Sequence, residues 1–199
     1  MKYVDIDGRK FLEERLRLIA GQDSVLDIGS GVKFQKQLNS YQDLFKNMKY
    51  ISLDINPAVK PDIVGDIHRL PIVNNSFAAV ICHSVLEHAR QPFLAAGEIY
   101  RVLKPGGIAL IYLPFLFSYH GNRQYLDYWR FTKDGVAELF NKFSSIEICP
   151  SRRFFEMWLN LIPVFGGQLA FGGRLIDLFI VYFKRRPNQV GGWYVFLKK

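Results

Sequence analysis

Two cysteines, Cys82 and Cys149, are all that 199 residues contain. That number supports no disulfide framework, and their separation has no metal-ligand spacing. Both end apolar runs, the setting of small core residues in a reduced, cytoplasmic protein. The first ten residues are polar and charged, so no signal peptide is expected. No stretch reaches the roughly 18–20 uninterrupted apolar residues of a membrane span. Internal repeats and low-complexity tracts are missing as well.

What is present suits one domain over residues 1–199, long enough to bury a full core. Apolar residues make up 49%, and aromatics reach 15%. The formal charge of +8 is unevenly placed. Residues 152–199 hold eight Lys or Arg against Glu156 and Asp177. Such an excess attracts phosphates of nucleic acids, nucleotide-sugars or lipid headgroups without choosing among them. A basic surface with no phosphate partner fits it equally.

Apolar spacing predicts a helix over 11–20, ending near Gly21. Strands are predicted at 24–28, 50–53, 62–64, 77–82, 108–113, 145–149 and 193–197, with helices at 34–47, 91–103 and 132–141. The run at 77–82 is continuously apolar, as in a parallel strand buried on both faces. Strands alternating with helices imply an α/β fold, a largely parallel sheet with helices on both faces. Two insertions stand out: an aromatic loop at 115–131, and residues 151–192 between the last two strands.

The strand at 24–28 runs into Gly29-Ser30-Gly31, where glycine permits positive φ and close approach of a ligand. Open α/β sheets bind nucleotide-like cofactors at such a turn. A dinucleotide fingerprint would need a third glycine where Phe34 stands, and Asp27 would set a negative charge beside a pyrophosphate. A cationic cofactor reverses that sign, because sulfonium and ammonium groups gain from a carboxylate. The turn therefore points to S-adenosylmethionine. Asp54 follows Gly31 by 23 residues and suits two ribose hydroxyls; a turn role before Asn56-Pro57 is the alternative. Asp66, in Gly65-Asp66-Ile67-His68, suits an adenine amino group or simply caps its turn.

With these residues in order, the chain resembles the class I S-adenosylmethionine-dependent methyltransferases, in particular the type 11 group. The matching segments are 25–31, 53–56, 65–71, 77–88 and 101–107 (Arg-Val-Leu-Lys-Pro-Gly-Gly), spread over roughly residues 20–115. The resemblance implies a Rossmann-like seven-stranded sheet ordered 3-2-1-4-5-7-6, its seventh strand antiparallel. It implies that Asp27, Gly29, Ser30 and Gly31 border the methionine end of the cofactor. Asp54 and Ile55 would then hold the ribose side, Asp66 and Ile67 the adenine, and His83 would lie beside the cofactor.

Some quinone-pathway O-methyltransferases bind a divalent metal through a Glu-His pair and an acidic residue where this chain has Ser84. Glu87 and His88 alone make a poor site, so no metal is expected. His88 suits deprotonation of an acceptor hydroxyl; a role in ordering the following helix is the alternative. Tyr119-His120 and the run from Asp127 to Thr132 resemble a Tyr-Trp-Arg-Phe-Thr signature of type 11 enzymes from bacterial glycan and secondary-metabolite clusters. His120 joins His88 as a candidate catalytic residue. Tyr119, Tyr128 and Arg130 are candidate acceptor-binding residues, Arg130 for an anionic group. In the structural alternative Arg130 pairs with Asp127 or Asp134, and Thr132 caps the next helix.

The insertion is strongly apolar and ends in Lys184-Arg185-Arg186. It reads as a helical cover over the acceptor pocket, or as an amphipathic element touching a membrane. The expected function is methyl transfer to a small or medium acceptor, with a sugar or lipid-linked glycan precursor as the class favoured. An RNA methyltransferase is the enzymatic alternative. The chain lacks an Asn-Pro-Pro-Tyr motif and any appended RNA-binding domain, which counts against nucleic acid. A non-catalytic cofactor-binding or membrane-docking protein is the other. Oligomeric state is not encoded in any feature of the sequence.

Overall fold

In the computed structural model, residues 1–33, 36–152, 156 and 190–199 are described. The predicted insertion falls almost wholly outside them, as does Phe34. The described elements are β1 (Lys2–Tyr3), α1 (Gly8–Ala20), β2 (Ser24–Ile28), β3 (Lys49–Asp54), β4 (Ile63–Val64), β5 (Phe77–His83), α2 (Pro92–Val102), β6 (Leu103–Pro114), α3 (Lys133–Leu139), β7 (Ser145–Pro150) and β8 (Gly192–Lys198).

They build one sheet in the order β1-β7-β8-β6-β5-β2-β3-β4. Numbered from β2, this is the expected 3-2-1-4-5-7-6, and β8 runs antiparallel to both β6 and β7. The difference is an eighth strand. β1 is only two residues long and pairs in parallel with β7, from Lys2 opposite Glu147 to Tyr3 opposite Ile148. Two residues are too few to show an alternating pattern, so the sequence carries no signal for it.

Side chains alternate across the sheet and feed two cores. Val25, Ala79, Ile81 and Leu110 pack on one face with Phe11, Leu16 and Ile19 of α1. Leu26, Val80, Cys82 and Ile111 pack on the other with Ile99 and Val102 of α2 and Val136 and Leu139 of α3. α1 begins three residues earlier than its apolar spacing suggests because Asp7 caps it, accepting from the backbone N–H groups of Arg9 and Lys10. The Thr132 hydroxyl caps α3 in the same way, accepting from Gly135 N–H at 3.1 Å.

The helix expected over 34–47 is instead a 3-10 helix, Lys36–Phe45. Leu38, Tyr41 and Leu44 recur every three residues and face the α1 core, which matches the three-residue turn of a 3-10 helix. β6 also starts earlier than predicted, absorbing Lys104-Pro105-Gly106-Gly107, and Gly106 has φ of 75° there. Cys82 and Cys149 are both buried, as expected of core residues. No helix among the described residues is long and apolar enough to cross a membrane.

Candidate active site

The carboxyl ends of β2, β3 and β5 open into one cavity of about 790 Å³. That volume lies within the range of about 300–1,000 Å³ typical of small-molecule sites. Parallel strands end there together because their connections cross over and return, leaving a crevice beyond the strand ends.

The glycine turn forms one wall. Gly29 and Gly31 have φ of 67° and 53°, in the left-handed region. A Cβ on Gly29 would also overlap the Val85 side chain, so two constraints fix glycine at that position. Leu53 O accepts from the N–H groups of Gly29 and Ser30, tying the turn to β3. Ser84, just past β5, has φ of 58°; a non-glycine residue held there stores backbone strain at the cavity wall.

Asp54 ends β3 on this cavity. One of its oxygens accepts from Gly31 N–H and the other from Asn56 N–H, each at 2.8 Å. Each oxygen retains a second lone pair for a hydroxyl donor. Ile55 is exposed on the same wall. Asp66 lines the far side, where His68 donates to it from its backbone N–H and its ring approaches at 2.6 Å. Ile67 also lines the cavity, and its side chain is largely buried in the core.

Asp27 lies deeper, almost wholly buried, and accepts from the Tyr50 hydroxyl. Burial pushes its pKa up to about 7, the Tyr50 hydrogen bond opposes the rise, and Asp54 adds to it. Three carboxylates thus border a cavity in a chain of net charge +8. His83 closes the β5 end, stacked on Tyr112 with ring centroids 4.7 Å apart.

On the other side, the loop after β6 folds over the turn after β5. Glu87 O accepts from the N–H groups of Tyr128 and Trp129, and the Trp129 indole N–H donates to Ala89 O. This docking brings Tyr128 and His88 to the cavity. Sequence reasoning missed the stretch from Asn122 to Leu126, which also lines it. Its only signal was its place in an aromatic loop. Glu87 and His88 sit in a turn ahead of α2, whose N-cap residue Gln91 makes no side-chain cap bond.

Three expected acceptor-side residues are placed differently. Tyr119 is exposed at 69%, outside the cavity lining. Arg130 directs all its donors inward. Its fork grips both oxygens of Asp127 at 2.5 and 2.6 Å, and the remaining N–H groups reach the carbonyls of Phe117, Ser118 and Trp129. The structural alternative, pairing with Asp127, is therefore the arrangement found, and Arg130 has no donor left for an anionic acceptor. His120 sits behind His88 rather than on the cavity wall, its ring 4.9 Å away.

The family model described as a methyltransferase domain, of the type 11 group, matches residues 26–111. An uncharacterized methyltransferase of Schizosaccharomyces pombe is 46% identical over 44 residues, 22% of this chain and 16% of that protein's length. Among solved structures, a SAM-dependent methyltransferase from Archaeoglobus fulgidus is 18% identical with a TM-score of 0.60, over 96% of this chain and 94% of its own. Phosphoethanolamine N-methyltransferase 2 of Haemonchus contortus, solved with S-adenosyl-L-methionine, is 17% identical with a TM-score of 0.59, over 95% of this chain and 52% of its own. These solved structures share its fold. The segment that the family model matches spans the glycine turn, Asp54, Asp66 and Glu87-His88, so the part of the chain that builds this cavity is the part similar to a type 11 methyltransferase domain.

Proposed function

We propose that this chain transfers a methyl group from S-adenosylmethionine to a small or medium acceptor. The observation that carries the reading is Asp54: it is fixed on the cavity wall by two backbone N–H groups, with lone pairs left for ribose hydroxyls. The Gly29–Gly31 turn provides a wall whose only side chain is the small Ser30, fitting close approach of an amino-acid moiety. Asp27 faces the cationic end, Asp66 and Ile67 suit the adenine edge, and His83 lies beside the cofactor at the end of β5. When bound, the cofactor supplies a methyl group already activated by its sulfonium charge. The chain's own contribution is alignment and exclusion of water.

The acceptor side is the aromatic rim of the loop after β6. Tyr125, Leu126 and Tyr128 are all exposed and line the cavity. Exposed aromatic faces at a cavity mouth suit the apolar face of a sugar ring or an isoprenoid-like chain, which supports a sugar or lipid-linked glycan precursor. A cytoplasmic setting accords with the two buried thiols.

Isothermal calorimetry tests the reading. S-adenosylmethionine and S-adenosylhomocysteine should bind with 1:1 stoichiometry, while NAD should show no comparable heat. Tight NAD binding would overturn the cofactor assignment. Methyl transfer from labelled S-adenosylmethionine to glycan-lipid extracts, set against total RNA, separates the favoured acceptor class from the nucleic-acid alternative.

A further inference from the structure

The turn after β5 and the loop after β6 bring three side chains to one point behind the cavity wall. Glu87 is 1% exposed, and neither of its carboxylate oxygens has a hydrogen-bond partner among the described residues. Its nearest neighbours are two imidazole nitrogens, His120 Nε2 at 3.6 Å and His88 Nε2 at 3.9 Å, both from Oε1. A carboxylate buried in this way is costly unless a positive charge compensates it.

The separations indicate which charge fits. A charge-assisted hydrogen bond would bring nitrogen and oxygen to about 2.8 Å. Ligands sharing one tetrahedral ion at about 2.1 Å stand about 3.4 Å apart. The observed gaps are nearer the second value, and all three ligand atoms lie within 4.8 Å of one another.

The outer nitrogens point the same way. His88 Nδ1 lies 2.7 Å from Leu126 O, which can only accept, so Nδ1 carries the proton of the neutral ring. His120 Nδ1 faces Ser118 O and Asp127 Oδ2, each at 3.2 Å, with the same consequence. Asp127 is itself clamped by Arg130. Both Nε2 atoms then present lone pairs toward Glu87, while carbonyl and carboxylate groups fix the rings from behind. Metal-binding histidines are supported in this manner.

We propose that Glu87, His88 and His120 bind a divalent first-row ion of the zinc type, with Asp127 positioning His120. Two imidazoles and one carboxylate are the protein ligands of open zinc sites, whose fourth position is left to water or a ligand. His88 lines the cavity, so that position lies at the cavity wall. Magnesium and calcium, which take oxygen donors, do not match this set. The expectation of no metal counted only Glu87 and His88; folding adds His120 from a separate loop. General-base roles for His88 or His120 need the same Nε2 lone pairs, so the metal reading replaces them.

The test uses the full chain, stripped with a chelator and titrated with Co²⁺ as the spectroscopic probe. One equivalent should bind with the intense visible absorption of a four-coordinate site, and Zn²⁺ should displace it and raise the melting temperature. His88→Ala and His120→Ala should each abolish the absorption. Glu87→Gln, which keeps the volume, should weaken binding at least 100-fold. Asp127→Asn should weaken it about 10–100-fold while the one-to-one stoichiometry persists. Circular dichroism on each variant shows that it is folded. Absence of a cobalt spectrum in the folded parent chain overturns the site, as does a spectrum unchanged by both histidine substitutions. No methyl donor enters the measurement, so its outcome is separate from that of the methyl-transfer reading.

Discussion

Gly31 and Asp54 are 23 residues apart in the chain and are joined by a 2.8 Å hydrogen bond from the glycine N–H to Oδ2. The bond couples the turn after β2 to the end of β3, so loss of the carboxylate loosens both walls of the cavity. Asp54→Ala should weaken S-adenosylhomocysteine binding by about 1.5–3 kcal/mol, or about 10–100-fold in Kd. Calorimetry on the folded variant checks this, and an unchanged Kd would remove the ribose assignment.

Asp27 should make cofactor affinity depend on pH. Burial pushes its pKa up to about 7, and a cation binds best to the ionised form. Affinity for S-adenosylmethionine should therefore rise as pH climbs through 7 and level off above it. The titratable groups that interact with Asp27 are Tyr50 and Asp54 from β3 and, from the other face of the sheet, Cys82 of β5. Burial holds the Tyr50 and Cys82 protons on well above neutrality, so neither mimics this titration. Stability runs the opposite way. The folded pKa exceeds the ordinary aspartate value of 3.8, so the contribution is full below that value and is lost as pH rises through 7. Asp27→Asn should flatten both profiles, read by calorimetry and by melting temperature between pH 5 and 8.

Gly29→Ala should destabilise the fold by about 1–3 kcal/mol, since alanine resists a φ of 67° and its Cβ meets Val85. Adding Val85→Ala should restore only part of the loss, because the space is relieved and the backbone strain is not. Urea denaturation of the single and double variants separates the two terms. Full recovery in the double variant would mean that the conformation of Gly29 carries no cost.

Arg130→Lys keeps the charge and loses the planar fork on Asp127. A clamp role predicts a lower melting temperature, by about 1–3 kcal/mol in stability. A variant with unchanged melting temperature but a raised acceptor KM would restore the acceptor-binding expectation for this residue.

Much of the architecture was legible because it rests on local patterns. Apolar runs at β2, β3, β5, β6, β7 and β8 placed the long strands, and the resemblance supplied their order. Gly29, Gly31, Asp54 and Asp66 were found because they follow strand ends, and parallel strand ends converge on one edge. Residues within the loop after β6 had no such anchor. The sequence offered Asp127 as one of two partners for Arg130 without choosing it over an anionic acceptor, and nothing in it says that His120 reaches Glu87 across the intervening α2 and β6. Those contacts depend on how an irregular loop docks on a turn, and irregular backbone has no period to read.

β1 and β4, the outermost strands of the sheet, are each two residues long. An exposed margin of unpaired N–H and C=O groups is a template on which another chain can add a strand and seed a growing aggregate. Here either outermost strand offers a newcomer only a two-residue ladder, too short a foothold for register or cooperative growth. The brevity that hid β1 from its own sequence also makes the sheet a poor nucleus for stacking one copy of the protein on the next.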